Sequence, residues 1–262
     1  MVLFYKKQDA AQRGKFITFE GGEGAGKSTQ IKLLMARLQA AGLECICTRE
    51  PGGSPGAEVI REVLLSGAVH AHGPEVEAML FAAARADHID SVIRPALAAG
   101  TWVLCDRFAD SSRVYQGEAG VDKQTIENLQ RIAVDGVEPD LTLLIDVPAE
   151  LGLKRVNKRS QDGPDNAPDR FEKDSLETHQ RRRQLFLQIA RENRERFAVI
   201  DGSRHANEVE EQIKKVVSMR FEAELPSSLE YERASLPNAA AKRGGNTPKN
   251  NNRGKRRRGR KR

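Results

Sequence analysis

Apolar positions along this chain come in short blocks whose spacing alternates between strand-like and helix-like. Ile17 and Phe19, with Thr18 between them, end a short buried strand after Lys15. Ile31, Leu34, Met35 and Leu38 then recur at i, i+3, i+4 and i+7, which predicts a helix that runs to about Ala41 and stops at Gly42. Glu44–Thr48 alternates cysteine with isoleucine and reads as a second strand, broken by the Pro and Gly of Thr48–Gly53. Ala57–Leu65 predicts a helix, and Pro74 opens a long one at the first-turn position that suits proline. Trp102–Leu104 and Leu141–Asp146 read as buried strands. Ile126, Leu129, Ile132 and Ala133 mark a helix between them, and Pro148 begins another. Leu185–Phe197 contains a helix, Phe197–Ile200 is a last strand, and Val209–Val217 a last helix. This alternation implies an α/β fold, a parallel sheet with helices on both faces.

Length and composition agree with one such domain plus extensions. The chain has 262 residues, and its 39% hydrophobic content is enough for a core. No apolar run approaches a membrane span, and residues 1–14 lack the apolar stretch of a secretion signal. The three cysteines form no C-x-x-C pair, which suits a reducing cytoplasm; Cys45 and Cys47 are expected as small core residues. The net charge of +6 is unevenly placed. Lys242–Arg262 holds eleven Lys or Arg and no acid, and taking these away leaves the rest at −5. Residues 1–13 read as a polar extension, 14–218 as the folded domain, and 219–262 as a basic tail disordered by composition. A tail of this charge fits non-specific contact with nucleic acid, weakened by salt.

The chemistry begins where the first strand ends. Gly21–Ser28 matches G-x-x-x-x-G-K-[ST], and it lies between a strand and a periodic helix, the context that marks a phosphate-binding loop. Glycines let successive backbone N–H groups turn inward around phosphate oxygens, and the helix N-terminus favours the same anion. Gly21, Gly22, Glu23, Gly24, Ala25, Gly26, Lys27, Ser28 and Thr29 form the expected ATP loop. In it Lys27 reaches the β- and γ-phosphates and Ser28 ligates Mg2+.

Other polar groups fall at strand ends or on helices near them. Arg49–Glu50 lies at the carboxyl end of the second strand, the rim where open α/β sheets bind ligands. Phe81 and Arg85 are four apart and share a helix face, so an aromatic ring and a guanidinium can hold a base and a phosphate together. Asp106 and Asp146 each end a buried strand in the manner of the second magnesium element, and Arg107 beside it favours Asp106. Asp110–Gly117 offers hydroxyls and an amide suited to a base or sugar. Lys154, Arg155, Lys158 and Arg159 lead into a Gly-, Pro- and Asn-rich loop that reads as a mobile lid over about 155–171. His70-x-His72 has no further ligands nearby and reads as loop.

Taken together, Phe-Glu-Gly-Gly-Glu-Gly-Ala-Gly-Lys-Ser-Thr at 19–29, Thr-Arg-Glu-Pro-Gly-Gly at 48–53, Phe-Ala-Ala-Ala-Arg at 81–85 and Asp-Arg-Phe-Ala-Asp-Ser-Ser at 106–112 resemble the bacterial thymidylate kinases. Tyr-Gln-Gly at 115–117 and Asp-Arg-Phe-Glu at 169–172 extend the likeness over about residues 14–218. The resemblance implies a P-loop NTPase three-layer sandwich that transfers the γ-phosphoryl of ATP to dTMP with Mg2+, as a homodimer. It implies that Phe81 stacks on thymine, that Arg85, Arg107 and Arg49 hold the acceptor phosphate, and that Glu23, Ser112, Tyr115 and Gln116 surround the sugar and base. Since Gly24-Ala25 leaves no arginine in the P-loop, Arg155, Arg159 and Arg170 become candidates for the catalytic lid arginine.

Three features depart from the family pattern: Phe108 after Asp-Arg, the Gly-Pro-Asp-Asn-Ala-Pro insertion at 163–168, and the basic tail. The competing readings are another nucleoside monophosphate kinase on the same fold, or a P-loop nucleic-acid-binding protein working through its tail.

Overall fold

A computed structural model describes residues 13–161 and 170–226. The first twelve residues, the insertion at 163–168 and the tail from 227 onward lie outside them.

Five parallel strands form one sheet in the order β2-β3-β1-β4-β5. They are β1 (Phe16–Glu20), β2 (Cys45–Arg49), β3 (Trp102–Asp106), β4 (Leu141–Asp146) and β5 (Phe197–Asp201). The middle strands read as nearly continuous apolar runs because helices cover both faces. On one face Ile17, Phe19, Leu104, Leu143 and Ile145 pack under α1 (Lys27–Ala40) and α9 (Ala206–Phe221). On the other, Phe16, Val103 and Cys105 meet Ile89, Ile93 and Leu97, while Leu144 meets Val114 of α5 (Ala109–Glu118) and Phe186 of α8 (Leu176–Glu192). Thr18 is as buried as its apolar neighbours, and its hydroxyl is 2.8 Å from that of Thr142 on β4.

The remaining helices are α2 (Pro55–Leu65), α3 (Pro74–His88), α4 (Arg94–Ala98), α6 (Lys123–Val134) and α7 (Ala149–Ser160). His70–His72 forms a single 3-10 turn, and a π-helical turn over Ile89–Ile93 joins α3 to α4. Asp110–Gly117, read from sequence only as a polar stretch, lies within α5. Its polar residues hide the apolar periodicity because most face buried partners: Asp110, Ser111, Ser112 and Gln116 are all buried. The α8 helix begins nine residues before the expected Leu185, after a Ser175 cap whose Oγ accepts the Thr178 N–H at 3.2 Å. The last helix runs on to Phe221, and Leu225 beyond it is buried in the core.

Ile132 lies on α6 as expected and is 72% exposed. One expectation about packing is overturned. Cys47 is exposed and Cys45 only partly covered, because β2 is an edge strand; Cys105 alone is buried. All three thiols are free. Among the described residues, no helix is long and apolar enough to cross a membrane.

Arg37 of α1 is buried. It donates to Glu210, to Glu211 at 2.6 Å and to the carbonyl of Pro226, tying the first helix to α9 and to the strand of chain that follows it.

Candidate active site

The strand order sets the place of the site. Chain direction reverses its march across the sheet at β1, which has β3 on one side and β4 on the other, and open α/β sheets bind ligands beyond the carboxyl ends of such strands. A cleft of about 660 Å³ opens there. It is lined by Glu23–Thr29, by Arg49 and Glu50 after β2, by Asp106–Phe108 after β3, by Phe81 and Arg85 of α3, by Ser111, Ser112, Tyr115 and Gln116 of α5, and by Arg155 and Arg159 of α7.

The loop between β1 and α1 has the shape its glycines permit. Gly26, the residue before α1, has φ +94°, and Gly24 has φ +67°. Gly24 also sits so close to α7 that a Cβ there would lie 2.1 Å from the Gly152 carbonyl oxygen. Lys27 is buried, and its Nζ donates to the carbonyls of Gly21 and Gly22, each at 3.1 Å. Burial first, and Arg107 second, lower its pKa, against the pull of Asp106, Glu23 and Glu20. Ser28 Oγ donates to Asp106 Oδ2 at 2.9 Å, so a hydroxyl and a carboxylate oxygen stand side by side next to the loop. Asp146, the other eligible aspartate, is instead held by Arg183 through two hydrogen bonds of 2.7 and 2.9 Å.

Arg107 adopts φ +69°, unusual for a side chain with a Cβ, and this left-handed step lets α5 start immediately after β3. Its guanidinium donates to Glu23 at 2.7 Å, Ser111 Oγ at 3.0 Å and the Gly21 carbonyl at 3.2 Å, and it lies 4.9 Å from the centre of the Tyr115 ring. Tyr115 donates to the same Glu23 oxygen at 2.6 Å. Burial opposes charge on Glu23, but Arg107, Lys27 and the Tyr115 hydroxyl outweigh it and bring the carboxyl down to about 2. Three positions earlier the balance reverses. Burial, then Asp110, push the Glu20 carboxyl up to about 7, against Arg107 and hydrogen bonds from Ser111 and Phe108.

Arg85 is only 2% exposed. Its Nε donates to Glu50 at 2.7 Å, and one terminal nitrogen donates to Ser112 at 3.2 Å and Gln130 at 2.5 Å. His88, one turn along α3, is wholly buried and bridges Glu50 and the Thr48 hydroxyl at 3.2 and 2.6 Å. The sequence pair Arg49–Glu50 therefore splits. Glu50 turns inward to Arg85, while half-exposed Arg49 pairs with Glu58 at 3.0 Å on the cleft's edge.

The lid arginines also separate. Arg155 lines the cleft and donates to the Gly202 carbonyl at 3.0 Å; Arg159 lines it and pairs with Glu172. Arg170 does not line the cleft. It pairs with Glu77 at 2.6 Å and lies 4.3 Å from the centre of the Phe171 ring. Phe171 itself does line the cleft, between Phe81 (ring centres 6.5 Å apart) and Tyr115 (5.4 Å).

Sequence reasoning gave no role in this network to Glu20, His88 and Gln130, and named Ser111 and Phe171 only within longer motifs. A charged residue closing a buried strand before the loop, and a histidine one turn beyond Arg85, were the available signals. Gln130 comes from a distant element and gave none, while Phe171 was visible only as part of the 169–172 motif.

A five-stranded parallel sheet carrying a phosphate-binding loop, with lysine and arginines converging beyond its central strand, defines a P-loop nucleotide-binding protein of the α/β class. The sequence pattern of the family described as thymidylate kinase matches residues 19–213. A thymidylate kinase of Rhodopseudomonas palustris is 51% identical over 214 residues, covering 81% of this chain and 92% of that protein. One of Afipia carboxidovorans is 51% identical over 216 residues, covering 82% and 93%. The chain belongs to the thymidylate kinase family.

Proposed function

We propose that this chain is a thymidylate kinase, transferring the γ-phosphoryl group of ATP to dTMP to give dTDP and ADP. The observation that carries this is the meeting of two anion sites in one cleft. The loop with Lys27 occupies one end, and Arg85 and Arg107 face the same space beside Phe81 and Tyr115.

In this reading the loop amides and Lys27 hold the donor triphosphate. Phe81 offers a half-buried aromatic face to thymine, and Ser112, Tyr115 and Gln116 lie close enough to meet base and sugar. Arg107 and Arg85, with Arg49 at the edge, hold the acceptor phosphate. One of its oxygens attacks the γ-phosphorus, the bond to the bridging oxygen of ADP breaks, and no covalent enzyme intermediate forms. The barrier is mostly repulsion between two polyanions, so converging cations lower it by stabilising the transferring group's charge. Arg155 and Arg159 are favoured over Arg170 as the catalytic lid arginine because they face the cleft and it does not.

Mg2+ is the expected metal. Ser28 and Asp106 supply hard oxygens 2.9 Å apart, which suits an ion that takes few protein ligands and keeps waters and phosphate oxygens. Once bound there, the ion neutralises phosphate charge and orients the donor.

A homodimer is supported by exposed Val59 and Val63 on α2, Val76 and Met79 on α3 and Ile132 on α6, since a second copy would cover these apolar side chains. Free thiols suit a cytoplasmic location.

Comparing dTMP, dUMP, CMP and AMP as acceptors with ATP tests the proposal. Preference for dTMP is expected, and a better rate with any other nucleotide overturns it. Arg107→Ala should lower turnover by about 10³-fold, the scale of a supplied arginine in phosphoryl transfer. A near-normal steady-state rate would remove Arg107 from the site.

A further inference from the structure

Glu20 is the least expected charge in the molecule. It closes the central strand, is completely buried, and lies just before the phosphate loop. Among the described residues, its side-chain hydrogen bonds run to one place, the turn between β3 and α5. Oε1 accepts the Phe108 N–H at 2.9 Å and the Ser111 N–H at 3.2 Å, while Oε2 accepts the Ser111 hydroxyl at 2.7 Å. The Phe108 N–H stands at the helix start, where backbone N–H groups lack partners within the helix, while the Ser111 N–H is shared between Glu20 and the Phe108 carbonyl at 3.0 Å. Phe108, the residue before α5, makes no side-chain cap of its own. A carboxylate from a different strand does that work.

The capped turn carries two adjacent serines, and each meets an arginine of the cleft. Ser111 Oγ gives its proton to Glu20 and accepts from Arg107 at 3.0 Å. Ser112 Oγ accepts from Arg85 at 3.2 Å. The same turn begins with Arg107 itself in its left-handed conformation, which is held by its own N–H donating to the Phe19 carbonyl at 2.9 Å. The neighbouring acid is already spoken for: Asp110 accepts from Arg196 at 2.7 and 3.0 Å and from Arg113 at 3.0 Å. Glu20 is therefore the carboxylate that fixes this turn from beneath.

We propose that Glu20 is a positioning residue for the acceptor nucleotide: acting through the Ser111 hydroxyl and the first turn of α5, it aims the Arg107 guanidinium, and with it the Arg85–Ser112 contact, into the cleft. This rests on the reading of Arg107 as an acceptor-phosphate ligand. Glu20 touches neither nucleotide and moves no proton in the reaction.

The conservative change Glu20→Gln keeps an oxygen for the two backbone N–H groups but presents an amide N–H to Ser111. That serine must then accept from the glutamine and loses the partner for its own proton, so its hold on Arg107 is disturbed. Steady-state kinetics on the full chain should show KM for dTMP raised tenfold or more, with KM for ATP changed less than twofold. Ser111→Ala, which leaves the backbone cap intact, should reproduce most of that defect. In an Arg107→Lys background, Glu20→Gln should add less than a twofold further loss in kcat/KM for dTMP.

Equal increases in both KM values, a Ser111→Ala enzyme with unaltered KM for dTMP, or full additivity with Arg107→Lys would each overturn the relay. Should Glu20→Gln not fold, Ser111→Ala and its cycle with Arg107→Lys decide the matter. If Arg107 proves dispensable for turnover, the functional reading of that arginine fails separately. The relay is then judged by the Arg107 side-chain N–H resonance, which Ser111→Ala must shift and which, unmoved, disproves it.

Discussion

Glu20 and Glu23 are three residues apart on one short segment, yet their surroundings push them in opposite directions. The consequences for stability have opposite signs. Glu23 has a native pKa near 2, below the ordinary carboxylate value of 4.5, so the native state binds fewer protons there. Its stabilising contribution is present above about pH 4.5 and fades as pH falls toward 2. Glu20 has a native pKa near 7, so the folded protein holds its proton longer than the unfolded chain does. Stability from that group is full below about 4.5 and declines as pH rises to 7. Melting curves of Glu23→Gln and the native chain should therefore converge as pH drops from about 4.5 toward 2. Those of Glu20→Gln should improve relative to the native chain between about pH 5 and 7.5. Parallel curves in both windows would mean that neither carboxyl is perturbed as described. The sequence announced Glu23 through the loop motif. It did not announce Glu20, whose role depends on the β1–β3 register that pairs Phe19 with Asp106 and brings the start of α5 over the end of β1.

At the scale of elements, the contact that matters most for the phosphate loop is its approach to α7. Gly24 and Gly152 face each other: a Cβ on Gly152 would come within 2.4 Å of the Glu23 carbonyl oxygen, just as one on Gly24 would strike Gly152. Backbone meets backbone here, so no side chain can move aside. Gly152→Ala is expected to push α7 from the loop, raising KM for ATP about tenfold, a shift of about 1.4 kcal/mol, and lowering the melting temperature by several degrees, about what 1–2 kcal/mol costs a domain of this size. Unchanged KM for ATP and unchanged melting would show that the two elements have room to separate. The motif 21–28 made the loop legible, and hydrophobic periodicity gave most of the helices. Neither pointed to Gly152, since its neighbour is defined only once α7 packs back across the loop. Helix α5 was obscured for a related reason: its inward face is polar, and periodicity reads only apolar faces. Edge placement explains Cys47, because a strand alternation looks the same whether or not a second neighbour covers it.

For the whole molecule, the strand sequence made the α/β sandwich readable, while the surfaces were not. Ile132 stands six residues past Ile126, about 240° round the helix and off its buried face, and Val59, Val63, Val76 and Met79 are further exposed apolar side chains on α2 and α3. Met79→Glu together with Ile132→Glu should convert a dimer to a monomer in sedimentation velocity. An oligomeric state identical to that of the native chain would place the interface elsewhere. The tail poses a separate question, answered by removing residues 236–262. Kinase activity should persist within about twofold, while retention on DNA or RNA at low salt should vanish, as expected when affinity comes from many cations and phosphates. Loss of turnover, or a requirement for nucleic acid to hydrolyse ATP, would count against the kinase assignment itself.

The Glu23–Arg107 contact changes how acceptor entry should be pictured. The guanidinium already has a counter-ion 2.7 Å away, so an arriving phosphate does not fill an uncompensated positive well. On the proposed role of Arg107 it would displace one anion with another, much as a resin exchanges its load. The carboxylate set free keeps the Tyr115 hydroxyl that already donates to it at 2.6 Å, so the exchange costs Glu23 its cation but not its hydrogen bond.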